Sequence, residues 1–403
     1  MAKTHSFTQE SSLVLLGLVL IYATTNGVLT YTLPLLHPAL IEEFGWNEAQ
    51  VTEPAAWYLF ITAVTSPIAG FLLDRFPAKR VISVGLLLIG LGFFLYAQVT
   101  ELQQLKLVYL LMGTSLSLCG LVSNMLILTR WFDHKRGLAT GILLTASSLG
   151  GVVYPLLMGY GLESYGWRHS MTLLAIVFAS VTLLPLWLFV RNRPADATPD
   201  IGVAAPRPAG ITLSKAIQEP RFYLVAIATA SVWFGLFAML NHQTIHIARG
   251  LGLGKHLSTI MATFALSSVV GKLVFGYLSD RLDKPFTMML AVATFGFAVF
   301  FLRNIATDRE LLFVYAVLAG IGFSGTFTMS QILIADLYAG PSYGKILGTF
   351  IMLDTLAGAA GTVVAGRIRQ NADSYAPVFD ILILGCAISI VSLILLRRIK
   401  KTP

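Results

Sequence analysis

Charge is the scarcest ingredient of this sequence. Only 12% of its 403 residues are Asp, Glu, Lys or Arg, against about 25% in soluble domains, which excludes an ordinary water-soluble protein. Cysteine is nearly missing. Cys119 and Cys386 both lie in apolar runs, so there is no disulfide framework and no Cys-based metal spacing. The phosphate-binding pattern Gly-x-x-x-x-Gly-Lys does not occur, so ATP is not expected to drive the protein directly. Gly-x-Ser-x-Gly and His-Glu-x-x-His are absent too, and no enzyme, catalytic residue, metal site or cofactor is expected. The net charge of +8 could point to nucleic acid, but Lys and Arg are scattered through short loops and form no contiguous patch. What the chain has in excess is apolar surface: 56% apolar residues and a mean hydropathy of +0.76. An integral membrane protein, with the bilayer as its solvent, is the expectation.

A spanning helix needs about 20 mostly apolar residues. Such runs occur twelve times, at roughly 12–40, 52–74, 80–99, 105–129, 136–161, 168–190, 220–247, 256–281, 285–303, 311–335, 343–366 and 376–397. Backbone groups in lipid must be satisfied within the segment, so the runs are predicted to be helices; barrel strands would be about ten residues long. The first run is too long for a signal-peptide core. With both termini in the cytoplasm, the inner segments hold 19 Lys and Arg, the outer loops hold 8, and Lys272 completes the 28. That bias predicts cytoplasmic termini and a multi-pass protein of the cell membrane.

The one long polar connection is 191–219, with Pro194, Pro199, Pro206 and Pro208 among small residues. It divides the chain into a six-helix bundle at 1–190, a cytoplasmic linker at 191–219 and a second six-helix bundle at 220–403. The halves repeat. Gly70-Phe-Leu-Leu-Asp74-Arg75 recurs as Gly276-Tyr-Leu-Ser-Asp280-Arg281 at an offset of 206, and Gly141, Gly151 and Gly159 recur as Gly348, Gly358 and Gly366 at 207. Parallel six-helix repeats of this kind are a transporter architecture. The glycines are read mainly as sites of close helix approach.

The paired Gly-x-x-x-Asp-Arg loops, with Lys79-Arg80 completing the first, resemble the loop signature of the major facilitator superfamily. The run Trp131-Phe132-Asp133-His134-Lys135-Arg136-Gly137-Leu138-Ala139-Thr140-Gly141 is similar to the fifth-helix signature of its monocarboxylate and oxalate:formate antiporter branch. The resemblance implies an all-α fold of twelve transmembrane helices in two pseudo-symmetric bundles, alternating access, and a cavity lined by the first, fourth, seventh and tenth helices. Relatives of that branch hold the substrate carboxylate with an eighth-helix arginine; this chain has Lys272 there, which keeps the charge and loses the bidentate fork. Asn26-Gly27-Val28 stands where the monocarboxylate branch has an acid followed by glycine and aromatics, and Asp354 lies near the position of a second cation in oxalate carriers. A singly charged substrate therefore fits better than a dicarboxylate.

Lys272 is the only charge between about Leu257 and Tyr277, and Asp354 lies within the apolar stretch 346–364. Charges at bilayer depth cost a few kcal/mol even on mild scales and mark substrate or ion pathways. Lys272 is expected to bind the anion. Asp354 is expected to carry a proton, pairing with Lys272 in the empty carrier and taking up the proton when substrate displaces that pairing. Tyr22, Asn26, Tyr31, Asn124, His242 and Gln331 are further candidates for lining the substrate site, although lone polar groups in membrane helices often bond their own backbone. His242 and His246, one turn apart, lack a third ligand and are read as structural or proton-relay groups. Asp74, Arg75, Asp280 and Arg281 are expected to gate the conformational cycle. The expected partners are a small organic anion, protons and the lipid bilayer, with no nucleic acid, and the chain is expected to act as a monomer. The alternatives are an anion exchanger, an exporter of another small amphiphilic solute, or a non-transporting membrane sensor.

Overall fold

The computed structural model describes the backbone of residues 9–132, 136–192, 212–305, 309–338, 343–372 and 374–401. Residues 193–211 of the central connection, the side chains of 133–138 in the fifth-helix signature and the side chain of Asp74 lie outside the described residues. The described elements are all helical: α1 (Gln9–Asn26), α2 (His37–Phe44), α3 (Glu48–Arg75), α4 (Ala78–Ala97), α5 (Leu102–Cys119), α6 (Leu121–Trp131), α7 (Arg136–Leu188), α8 (Leu213–Ala216), α9 (Pro220–Ile245), α10 (Leu257–Arg281), α11 (Lys284–Asn304), α12 (Arg309–Tyr338), α13 (Tyr343–Asn371) and α14 (Ala376–Lys401). Eleven helical runs among them are long and apolar enough to cross a bilayer. One of these, Ala139–Leu188, has 50 residues, enough at about 1.5 Å per residue to cross twice. It turns back at Gly166, whose φ of 73° is left-handed backbone that a side chain would resist. The twelve apolar runs of the sequence are thus twelve crossings.

The chain divides into two compact units, Met1–Trp46 with Glu53–Pro199, and Asn47–Thr52 with Asp200–Pro403. In the first, α1 packs along α7, and α4 packs on α5 and α7. In the second, α10 and α11 pack on α12, while α13 and α14 pack on α9. Small residues set the closest crossings, as expected where lipid supplies no hydrophobic drive between helices. A Cβ on Gly150 would overlap the Ala23 carbonyl, and one on Gly27 would reach within 2.5 Å of Gly150 backbone. Of the glycines repeated at offset 207, Gly358 and Gly366 are tightly seated, but Gly141 and Gly348 meet open space. The repeat therefore marks close approach at some of its positions only.

Two crossings are less regular than the sequence predicts. After α1 the chain widens into a π-helical stretch (Gly27–Thr32) and tightens into a 3-10 turn (Leu33–Leu36) before α2. Pro34 and Pro38 withhold two backbone donors there, and the Thr32 hydroxyl donates to the Gly27 carbonyl at 2.9 Å. The fourth crossing breaks at Gly120, whose extended ψ of −155° separates α5 from α6.

Several loop cations close helix ends. Lys79 Nζ donates to the Trp187 and Val190 carbonyls at 3.0 and 2.9 Å, and Arg168 donates to the Ala97 and Val99 carbonyls at 2.9 Å. These are the unsatisfied carbonyl ends of helices, where a cation also meets the negative end of the dipole.

Candidate transport site

Large apolar side chains exposed to the surroundings recur along α3, α4, α7, α10, α11 and α14, as lipid-facing helices require. Four crossings differ. The first has none after Leu16, the fourth has only Leu107 and Val122, α9 has none after Ile227, and α12 has none after Val317. Beyond these positions the first crossing, α9 and α12 expose no large apolar side chain.

Lys272 is half-buried on α10. Its neighbour Gly271 lets α12 come close: a Cβ there would meet the Ile321 carbonyl at 2.5 Å and overlap the Ser324 hydroxyl. Lys272 lies nine residues before the end of α10, roughly 14 Å along the axis. Asp354 lies 11 residues into α13, roughly 16 Å from its start, and is fully buried. Neither of its carboxylate oxygens is in good hydrogen-bond geometry with a described residue. The Thr229 hydroxyl on α9 is directed to the Ala226 carbonyl at 3.4 Å. The expected pairing of Asp354 with Lys272 is therefore not made. The reason is topological: α10 lies against α12 and α11, α13 lies against α9, and α10 and α13 are not packed neighbours.

The other residues singled out in the sequence divide by how they use their polar atoms. Asn124 donates to the Cys119 and Gly120 carbonyls, both at 2.8 Å, and Ser123 donates to the Leu118 carbonyl at 2.6 Å. Together they satisfy three carbonyls at the break of the fourth crossing. Only the side-chain carbonyl of Asn124, buried and without a partner, remains for anything else. Asn26 donates to the Tyr22 carbonyl at 3.1 Å and is half-buried. Tyr22 and Tyr31 are buried on the first crossing, at 6% and 4% exposure, and Gln331 is half-buried on α12.

His242 is buried between α9 and α13. Its Nε2 lies 3.1 Å from the Thr362 carbonyl and its Nδ1 3.2 Å from the Tyr375 hydroxyl. A carbonyl only accepts, so Nε2 carries the hydrogen and Nδ1 accepts from tyrosine. Both ring nitrogens are occupied in joining helices, which leaves none for substrate. His246 packs edge-on against Tyr375 and Phe379. Among the described residues no three His, Cys, Asp or Glu converge on a metal position.

At the loops, Asp280 and Arg281 are exposed, with the Arg281 guanidinium 4.3 Å above the Tyr277 ring, and Arg75 is 5.5 Å above Phe71. Ion pairs at that end of the second unit come from residues outside the repeated motif: Lys284 to Asp336 at 2.6 Å and Arg397 to Asp283 at 3.1 Å. The aromatic residues of α9 and α12 were also missed. Trp233 stacks on Phe237 at 5.5 Å and meets Phe327 at 5.5 Å. An i, i+4 aromatic pair on the seventh span was the available signal.

Twelve apolar crossings in two helical units, with two ionisable groups at mid-depth, define a multi-pass membrane transporter rather than an enzyme. The sequence matches the Major Facilitator Superfamily over residues 15–255 and 243–403, and the chain belongs to that family. It is 27% identical to Monocarboxylate transporter 11 of Homo sapiens over 373 residues, 88% of this chain and 77% of that protein. It is 22% identical to the MFS-type transporter YcxA of Bacillus subtilis, covering 87% of each. It is 26% identical to the Agnestins efflux protein AgnL12 of Paecilomyces divaricatus, over 75% of this chain and 67% of that protein. Among solved structures, a bacterial homologue of the lysosomal transporter Spinster superposes with a TM-score of 0.71 at 19% identity, over 97% of this chain and 96% of that one. The nucleoside transporter NupG gives 0.74 at 14% identity, over 98% and 100%. At these identities the structures establish the shared fold.

Proposed function

We propose that this protein is a secondary carrier that moves a small organic anion, a monocarboxylate, by alternating access, together with one proton. The observation that carries the reading is Lys272, a cation at mid-depth on α10 that is only half-buried. A half-buried ammonium at that depth is placed to receive an anion from water, and the single charge matches a single carboxylate. Asp354 supplies the proton. A carboxyl removed from water without a good hydrogen-bond donor is far cheaper to hold as the neutral acid than as the anion. In this reading Asp354 takes up its proton when the anion loads on Lys272 and releases it when the anion leaves, so one negative and one positive charge cross per cycle and the net step is electroneutral.

The Asp-Arg loops are assigned to the conformational cycle, with both termini in the cytoplasm and the carrier acting as a monomer in the cell membrane. Similarity to the monocarboxylate transporters supports the anionic substrate. The efflux protein among the relatives supports a second reading, export of a larger amphiphilic anion through the same Lys272. The test is transport into proteoliposomes with a panel of labelled carboxylates, with and without an imposed pH gradient. Gradient-dependent accumulation of a monocarboxylate supports the proposal; indifference to every carboxylate removes it.

A further inference from the structure

Trp233 belongs to no part of the mechanism above. It sits 13 residues into α9, roughly 20 Å from the helix start, on a stretch that presents nothing large to lipid. It is 8% exposed, yet its indole N–H has no hydrogen-bond partner. Indoles buried in helical cores normally find an acceptor, because an unmet donor keeps its desolvation cost. Phe237 stacks on it one turn further along, and Phe327 reaches it from α12, each half-exposed on a stretch with no exposed large apolar side chain. Two half-exposed rings and one unmet donor form an apolar face with a single polar point.

The level of this face is fixed by the packing of α10 on α12. Gly271 abuts Ile321 and Ser324, and the Phe275 ring fills the space that a side chain on Gly325 would need. Lys272 therefore lies level with residues 322–324. Phe327 follows about one turn further on, roughly 6 Å along the axis. The cation, the rings and the free donor occupy one layer of the second unit.

We propose that Trp233, Phe237 and Phe327 are the specificity wall of the carrier, and that its substrate is a carboxylate with a flat aromatic body and a hydrogen-bond acceptor near the carboxyl group. The inference rests on the anion reading of Lys272 and adds to it which anions are carried. The rings stack on the aromatic body, and the indole N–H donates to the acceptor. A two-carbon acid reaches Lys272 but leaves the wall and the donor unmet.

The experiment measures transport of labelled acetate, phenylacetate and phenylpyruvate in proteoliposomes. Wild type is expected to favour phenylacetate over acetate by about tenfold, the worth of one good ring contact, and phenylpyruvate further still. Trp233→Leu should lose the preference for the ring and keep acetate transport, which also reports that the protein is folded. Trp233→Phe should keep the ring preference and lose only the added preference for the keto acid. Phe327→Leu gives an independent reading should Trp233→Leu fail to insert. Equal transport of acetate and phenylacetate by wild type would overturn the proposal, as would a uniform loss across all three substrates in both Trp233 variants. Neutral phenylacetamide separates the two readings. If it is carried with the same dependence on Trp233, the wall stands and the anion role of Lys272 falls.

Discussion

In the first unit Asn124 gives its amide hydrogens to the carbonyls of a broken helix, while its counterpart at offset 206, Ser330, bonds the Thr326 carbonyl at 2.9 Å within an unbroken one. The fourth crossing is interrupted at Gly120; α12, in the corresponding place, runs 30 residues without interruption. Polar side chains at depth in both units are largely occupied with the backbone. The second unit carries half-buried Lys272, buried Asp354 and the unmet indole donor of Trp233. Repeats that descend from one pattern have been put to different uses: one maintains an irregular scaffold, and the other holds the two ionisable groups at mid-helix. That difference follows from bond accounting, since a freed carbonyl in lipid must be satisfied before any side chain can serve a ligand.

This contrast can be broken by four substitutions. The largest effect is expected at Lys272. Lys272→Gln removes the cation and should reduce carboxylate transport by about 30-fold or more, the low end of what losing a charge-paired contact costs. Insertion and thermal stability should be preserved. Asp354→Asn comes next: accumulation driven by a pH gradient should disappear while exchange of substrate at equal pH continues. Full gradient-driven uptake in that variant would remove Asp354 from the mechanism.

Asn124→Ala addresses the scaffold side. It should lower thermal stability in detergent, by about 1–3 kcal/mol for carbonyls left unmet, with substrate preference unchanged. A shift in preference with stability intact would place Asn124 at the substrate. The smallest effect is expected for Asp280→Asn, which should slow turnover several-fold at constant affinity and alter which cysteine probes are accessible. Normal turnover and accessibility would reduce the loop charges to setters of topology.

Most of the fold could be read from the sequence because lipid permits so few solutions. A 20-residue apolar run must be a helix, so twelve runs gave twelve crossings. The irregularities were less legible. The break at Gly120 is announced by one glycine among 35, and nothing local distinguishes it from Gly113, which packs against Tyr58 and Ile61 inside a regular helix. At the site, hydropathy exposes Lys272 and Asp354 because each is costly where it lies. It does not reveal which helices touch, so the expected Lys272–Asp354 pair failed on packing alone. Polar candidates such as His242 were ambiguous for the same reason. Whether an imidazole is available depends on partners 120 and 133 residues away.

Anion transport as proposed depends on Lys272 holding the carboxylate. The most direct measurement is equilibrium binding of one labelled monocarboxylate to purified wild type and to Lys272→Gln, side by side in the same detergent. Loss of binding by the variant, with its melting temperature unchanged, is the predicted result. Binding of equal affinity to both proteins would contradict it.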